Sequence, residues 1–140
     1  MTKQVLIASL LLYTKDGKVL LQHRSDDARF LPGYWGAFGG HVEPGESVEA
    51  ALKRELLEEL EYRVRGPRPL NVKERETEEG VKIVTHNFIE EYDAAQLLVQ
   101  HEGQGYGWFT IPEAVELKMT DSRKEDLLLL QSKLFTRRSF

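Results

Sequence analysis

Apolar positions crowd the first part of the chain. Residues 4–13 (QVLIASLLLY) and 19–23 (VLLQH) are rich in branched aliphatics and flank Asp16-Gly17, a strong signal for a tight hairpin turn. They predict two antiparallel strands. Residues 24–34 are polar, carry Pro32-Gly33 and predict a loop. A short apolar stretch from Trp35 to Phe38 leads into Gly39-Gly40 and a turn at Pro44-Gly45. From Val48 to Leu60 no Gly or Pro interrupts a run dominated by Leu, Ala, Glu, Lys and Arg, with Ser47 as a good N-cap. That stretch predicts a helix.

Beyond Gly66, Pro67 and Pro69 the pattern returns to strands. Residues 70–76 and 81–92 predict a second hairpin about Glu78-Glu79-Gly80, and Tyr106 to Thr110 a further short strand. Residues 93–104 fit neither period. Pro112 opens a helical turn, and 121–136 (DSRKEDLLLLQSKLFT) predicts a second long helix with Asp121 as its cap. The run Leu127 to Leu130 suits burial in the core or a homodimer interface, so monomer and homodimer both stay open. No repeat or linker divides the chain. Residues 1–140 are therefore expected to form one α+β domain with a mixed, mainly antiparallel sheet.

The helix at 48–60 carries the informative chemistry. At about 100° per residue, Val48, Leu52, Leu56 and Leu60 drift across one apolar face. Glu55, Glu58 and Glu59 fall within an arc of about 100° that overlaps the edge of that face. Lys53, Glu49 and Glu61 point elsewhere. Glu55 stands i,i+3 from Glu58 and i,i+4 from Glu59, spacings at which like charges repel. All three also lie in the second half of the helix, where the macrodipole disfavours anions. Arg54 can pair with Glu58 but cannot neutralise the cluster. A hard divalent cation would, and clustered carboxylate oxygens suit Mg²⁺ or Mn²⁺.

Composition narrows the classes. Of 140 residues, 19 are Lys or Arg and 23 Asp or Glu, giving a net charge of −4. That balance speaks against a binder of duplex nucleic acid, which would neutralise phosphates with excess basic charge. The absence of cysteine excludes a disulfide scaffold, a thiolate zinc site and a cysteine nucleophile. The longest apolar run, Val5 to Leu12, is far short of the roughly 20 residues that a membrane span needs. The expectation is a soluble cytoplasmic domain with a small anionic substrate and no membrane partner.

Residues 40–62 (GHVEPGESVEAALKRELLEELEY) resemble the Nudix box, G-x5-E-x7-R-E-U-x-E-E-x-G-U, where U is a bulky apolar residue. Gly40, Glu46, Arg54, Glu55, Glu58 and Glu59 occupy fixed positions, whereas Glu61 stands where the pattern has its last glycine. That glycine is expected to end the helix in a left-handed conformation, costing another residue about 1 kcal/mol. The resemblance implies a Nudix-type α/β/α sandwich and Mg²⁺- or Mn²⁺-dependent hydrolysis of a nucleoside diphosphate derivative. By position, Glu58 and Glu59 resemble the main metal ligands, and Glu55 a further ligand or the general base. The backbone carbonyl of Gly39 resembles another ligand, Arg54 a residue that orients the carboxylates, and Glu46 a brace for the loop. Some Nudix enzymes draw one more acid, as a metal ligand or base, from a downstream loop. Glu102 is the candidate here, with Glu90 and Glu91 as rivals.

Substrate signals are thinner. Trp35, Phe38 and Trp108 flank the expected site as base platforms or as core, and Arg24 and Arg29 precede the box where phosphate could meet them. The sequence shows none of the marks of the ADP-ribose, dinucleoside polyphosphate, coenzyme A or nucleotide-sugar subfamilies. By elimination the reading is a (deoxy)nucleoside triphosphate pyrophosphohydrolase, oxidised nucleotides included, releasing a nucleoside monophosphate and pyrophosphate. The alternative is a Nudix fold that binds or senses a nucleotide without turnover.

Overall fold

Ten consecutive residues of the first strand find their longest partner far along the chain. The computed structural model describes residues 3–134. Its strands are β1 Gln4–Tyr13, β2 Lys18–His23, β3 Trp35–Gly36, β4 Phe38–His41, β5 Arg68–Glu76, β6 Lys82–Glu91 and β7 Gly105–Thr110. All seven belong to one mixed sheet. The helices are α1 Val48–Leu60, the short α2 Ile111–Ala114 and α3 Asp121–Leu134. The α+β class expected from the pattern is thus the observed one. The last two residues of the helix expected over 121–136 lie outside the described residues.

The hairpin at Asp16-Gly17 forms, yet β1 and β2 meet only beside the turn, at Tyr13 opposite Val19. β2 then diverges to pair with β3 and β7, and β4 takes its place beside Ile7 to Leu10 of β1. On its other edge β1 runs parallel to β6 from Gln4–Lys82 to Tyr13–Glu91. Parallel pairing needs a long connection between the two strands, and β2, β3, β4, α1 and β5 lie along it. β5 returns antiparallel to β6, with a register shift between Pro69 and Asn71. Pro69 has no N–H to give the ladder, so irregularity there is expected.

Strand alternation divides the interior in two. Ala8, Leu10, Leu12, Leu20, Phe38 and Phe88 face α1 and pack on Leu52, Leu56 and Leu60. Leu11, Tyr13, Val19, Leu21 and Ile89 face the other way, onto Leu127 and Leu130 of α3. The result is the α/β/α sandwich. Leu128 remains half exposed, so the apolar run at 127–130 is buried along one side only. Beneath the start of α3, buried Asp126 meets Lys73 Nζ at 3.0 Å, Asn71 Nδ2 at 2.8 Å and Arg123 Nη1 at 3.1 Å.

Helix ends follow local chemistry. Ser47 caps α1, its Oγ accepting from Ala50 N–H at 3.0 Å. α3 departs from expectation by one residue. Thr120 Oγ1 accepts from Arg123 N–H at 3.1 Å, so Thr120 is the cap and Asp121 the first helical residue. Among the described residues, no helix is long and apolar enough to cross a membrane.

Candidate active site

Two adjacent glycines bring the sheet against the acidic side of α1. Gly39 has φ +146°, and a Cβ there would fall 2.1 Å from the Ala8 carbonyl oxygen. Its N–H donates to Glu59 Oε1 at 3.1 Å. At Gly40 a Cβ would fall 2.4 Å from Glu55 Oε2, so the Glu55 carboxyl rests on bare backbone. Any other residue at position 40 would occupy the space that this carboxyl fills.

Arg54 ties the following loop to the helix. Its Nε donates to Glu46 Oε2 at 2.7 Å and its Nη2 to Glu46 Oε1 at 3.0 Å, a two-pronged pairing. Nη2 also donates to the His41 carbonyl at 3.0 Å, and Nη1 reaches Glu58 Oε1 at 3.3 Å and Glu55 Oε2 at 3.4 Å. Glu46 Oε1 accepts in addition from Glu43 N–H at 3.0 Å. With so many donors, led by Arg54, the Glu46 carboxyl is pulled down to about 2.

Glu55 and Glu59 experience the opposite field. Glu59 is 4% exposed, and burial, with the nearby charges of Glu102 and Glu55, pushes its carboxyl up to about 9. Glu55 is also raised, chiefly by burial and against the pull of Arg54. The two carboxyls lie near enough to shift each other's titration. Such a pair holds a proton at neutral pH, because two like charges that close and that dry cannot both ionise. Glu102 reaches them from the loop before β7, near enough for its charge to act on both. That loop is fixed to the end of α1, with Val99 N–H on the Leu60 carbonyl at 2.9 Å and His101 N–H on the Glu59 carbonyl at 2.8 Å.

The donor chemistry fits a hard divalent cation. Hard carboxylate oxygens are concentrated in a largely dry place, and a positive ion would let buried Glu59 and partly buried Glu55 both ionise. As placed, however, no three acidic or histidine side chains among the described residues gather on one point. Glu58 is 60% exposed and lies along Arg54, apart from the buried pair.

Comparison with known proteins shows the family of the chain. The sequence model of the NUDIX domain matches residues 3–131. The chain belongs to the Nudix family. Over 49 residues it is 51% identical to nucleoside triphosphatase NudI of Escherichia coli, a stretch covering 35% of each protein. The match thus spans little more than a third of the length of these curated relatives. The solution structure of the E. coli ORF135 protein superposes with a TM-score of 0.81 at 27% identity, covering 99% of this chain and 96% of that one. The MutT protein from Methanosarcina mazei Go1 shares the fold at a TM-score of 0.79 and 20% identity, over 96% and 98% of the two chains.

Within this Nudix fold the expected site residues separate into groups. Gly39, Gly40, Glu46, Arg54, Glu55 and Glu59 form one connected cluster, with Glu58 at its edge and Glu102 opposite. Arg24 and Glu102 line a common cavity of about 190 Å³ with Gln22 and Gly103. The rivals of Glu102 are engaged elsewhere. Glu90 is buried under Tyr62 Oη at 2.7 Å and the N–H groups of Arg65 and Gly66, and Glu91 pairs with Lys15 at 3.8 Å.

The aromatic expectation needs correction. Phe38 is 1% exposed within the core on the α1 side, so its ring offers no face to a base. Trp35 sits on the opposite side of the sheet, stacked on His23 with centroids 4.3 Å apart. Trp108 does face α1, packed on Tyr92 at 5.1 Å. The three rings do not flank one site, because strand alternation sends them to different layers. One feature escaped the sequence reading. His101 Nε2 bonds Glu61 Oε2 at 2.6 Å, and its only trace in the sequence was a histidine adjacent to Glu102.

Proposed function

We propose that this protein is a divalent-metal-dependent pyrophosphohydrolase of nucleoside triphosphates. Water adds to phosphorus, one phosphoanhydride bond breaks, and a nucleoside monophosphate and pyrophosphate leave. The observation that carries the reading is buried Glu59 beside partly buried Glu55, seated on Gly39-Gly40 and within the field of Glu102. The identity with a nucleoside triphosphatase supports the substrate class.

Glu55, Glu58, Glu59 and the Gly39 carbonyl would hold Mg²⁺ or Mn²⁺, and Arg54 keeps the first two oriented. When bound, the metal neutralises diphosphate charge and acidifies a water. Glu102, on a loop pinned to the helix end, would accept the proton of the attacking water. Arg24, on the shared cavity, supplies positive charge to a phosphate that an otherwise acidic protein would repel. Glu46 takes no part in proton transfer, since its carboxyl is held ionised by Arg54.

The test is product formation from nucleoside triphosphates, oxidised guanine nucleotides, ADP-ribose, nucleotide sugars and dinucleoside polyphosphates, each with Mg²⁺, Mn²⁺ or EDTA. Metal-dependent release of a nucleoside monophosphate is expected. Glu58→Gln, at an exposed position, should fold normally and lose about a hundredfold or more in rate. Tight nucleotide binding with no product would overturn the reading in favour of a sensor.

A further inference from the structure

Fold stability gives no reason for a glutamate at position 61. The residue ends α1 in the left-handed conformation, φ 54° and ψ 31°, with its N–H on the Leu57 carbonyl at 2.9 Å. Glycine adopts that conformation without strain, and a residue with a Cβ does not. Its partnership with His101 is half exposed on both sides, and exposed pairs of this kind add little stability.

The value of the pair lies in what it holds. His101 is fastened twice, by its ring to Glu61 Oε2 at 2.6 Å and by its N–H to the Glu59 carbonyl at 2.8 Å. The next residue is Glu102, whose charge acts on Glu55 and Glu59. After it Gly103, at φ +84°, passes so close to β2 that a Cβ would lie 2.8 Å from the His23 carbonyl oxygen. Gln104 N–H then bonds that same carbonyl at 2.9 Å. Glu102 is thus suspended between two anchors, one on β2 and one on the end of α1. The anchor on α1 uses a side chain that the Nudix pattern does not provide.

We propose that Glu61 is a positioning residue. Through His101 it fixes the loop that sets Glu102 against the carboxylate pair. The proposal rests on the hydrolase reading for its catalytic consequence, while the anchoring itself is measurable without turnover. Glu61 acts by its hydrogen bond and not by charge at the metal, so glutamine should replace it.

The experiment compares Glu61→Gly, Glu61→Gln, His101→Ala and the Glu61→Gly/His101→Ala double variant of the full chain. Four readouts are taken: melting temperature, Mn²⁺ dissociation constant, amide exchange over residues 99–102, and kcat with KM. Glu61→Gly should melt a few degrees higher, because the strain is gone. It should also exchange the His101 amide several-fold faster and lose about tenfold in kcat, with KM little changed. Glu61→Gln should recover most of both losses. The double variant should be no worse than the poorer single one, since both remove the same anchor. A Glu61→Gly protein with wild-type exchange and wild-type kcat would overturn the proposal. If the wild-type chain turns over no nucleotide, the hydrolase reading fails, and the exchange data still decide whether Glu61 anchors the loop.

Discussion

Arg54 grips Glu46 with two parallel bonds, Nε to Oε2 at 2.7 Å and Nη2 to Oε1 at 3.0 Å, while its remaining N–H groups reach His41, Glu55 and Glu58. One planar group therefore links the box loop to the carboxylates of α1. A lysine keeps the charge but cannot make these contacts together.

Arg54→Lys should lower kcat about tenfold or more while leaving the protein folded. The same variant has a pH signature. Glu46 is depressed from 4.5 to about 2 in the folded protein, so its stabilising effect is present above pH 4.5 and is lost as pH falls towards 2. Melting curves between pH 5 and pH 2 should therefore show a shallower acid limb for Arg54→Lys and for Glu46→Gln than for wild type. Parallel limbs in all three would contradict the pairing.

Glu59 predicts the opposite slope in another window. Its carboxyl is raised from 4.5 to about 9, so the folded protein binds more protons than the unfolded chain between those values. Stability from this group is full below pH 4.5 and declines as pH rises towards 9. In EDTA the melting temperature should fall across that range, and Glu59→Gln should flatten the decline. Mn²⁺ should reverse it and release protons on binding, detectable by calorimetry in buffers of different ionisation enthalpy. Metal uptake without proton release at pH 7 would contradict the shared-proton pair.

The two glycines should fail differently. At Gly39 an added methyl meets the backbone oxygen of Ala8 at 2.1 Å, and the φ of +146° adds strain. Gly39→Ala should cost more than about 2 kcal/mol, read by urea denaturation. At Gly40 the atoms nearest an added methyl belong to the flexible Glu55 side chain, the first at 2.4 Å. Gly40→Ala should keep more of its stability and lose activity and Mn²⁺ affinity by displacing that carboxyl.

Much of the architecture was readable because its signals are local. α1 carried an N-cap, an unbroken helical composition and acids at fixed spacing within a few turns, and it forms over Val48–Leu60 as expected. The parallel pairing of β1 with β6 left no comparable mark, since the Ser9–Asn87 contact joins residues 78 apart. The layer of each aromatic was hidden for a related reason. Trp35 and Trp108 both lie beside β2, and their opposite sides follow from registers that only the assembled sheet fixes. The carboxylates of the site were legible through the box, whereas the His101–Glu61 bond spans 40 positions and required the loop to be in place.

The long parallel ladder between β1 and β6 also sets the order in which the chain can mature. One edge of β1 can pair with β4 early, but its ten-residue partner on the other edge ends at Glu91, so that edge waits until β6 exists. Loop closure over that distance is entropically slow, and the β6 edge of apolar β1 stays open meanwhile. The acidic helix, whose buried face needs Leu10, Leu12 and Phe88 together, gains its core only when that closure occurs. Residues 40–62 thus carry the acids of the candidate site, while the core beneath their helix is complete only once β6 is in place.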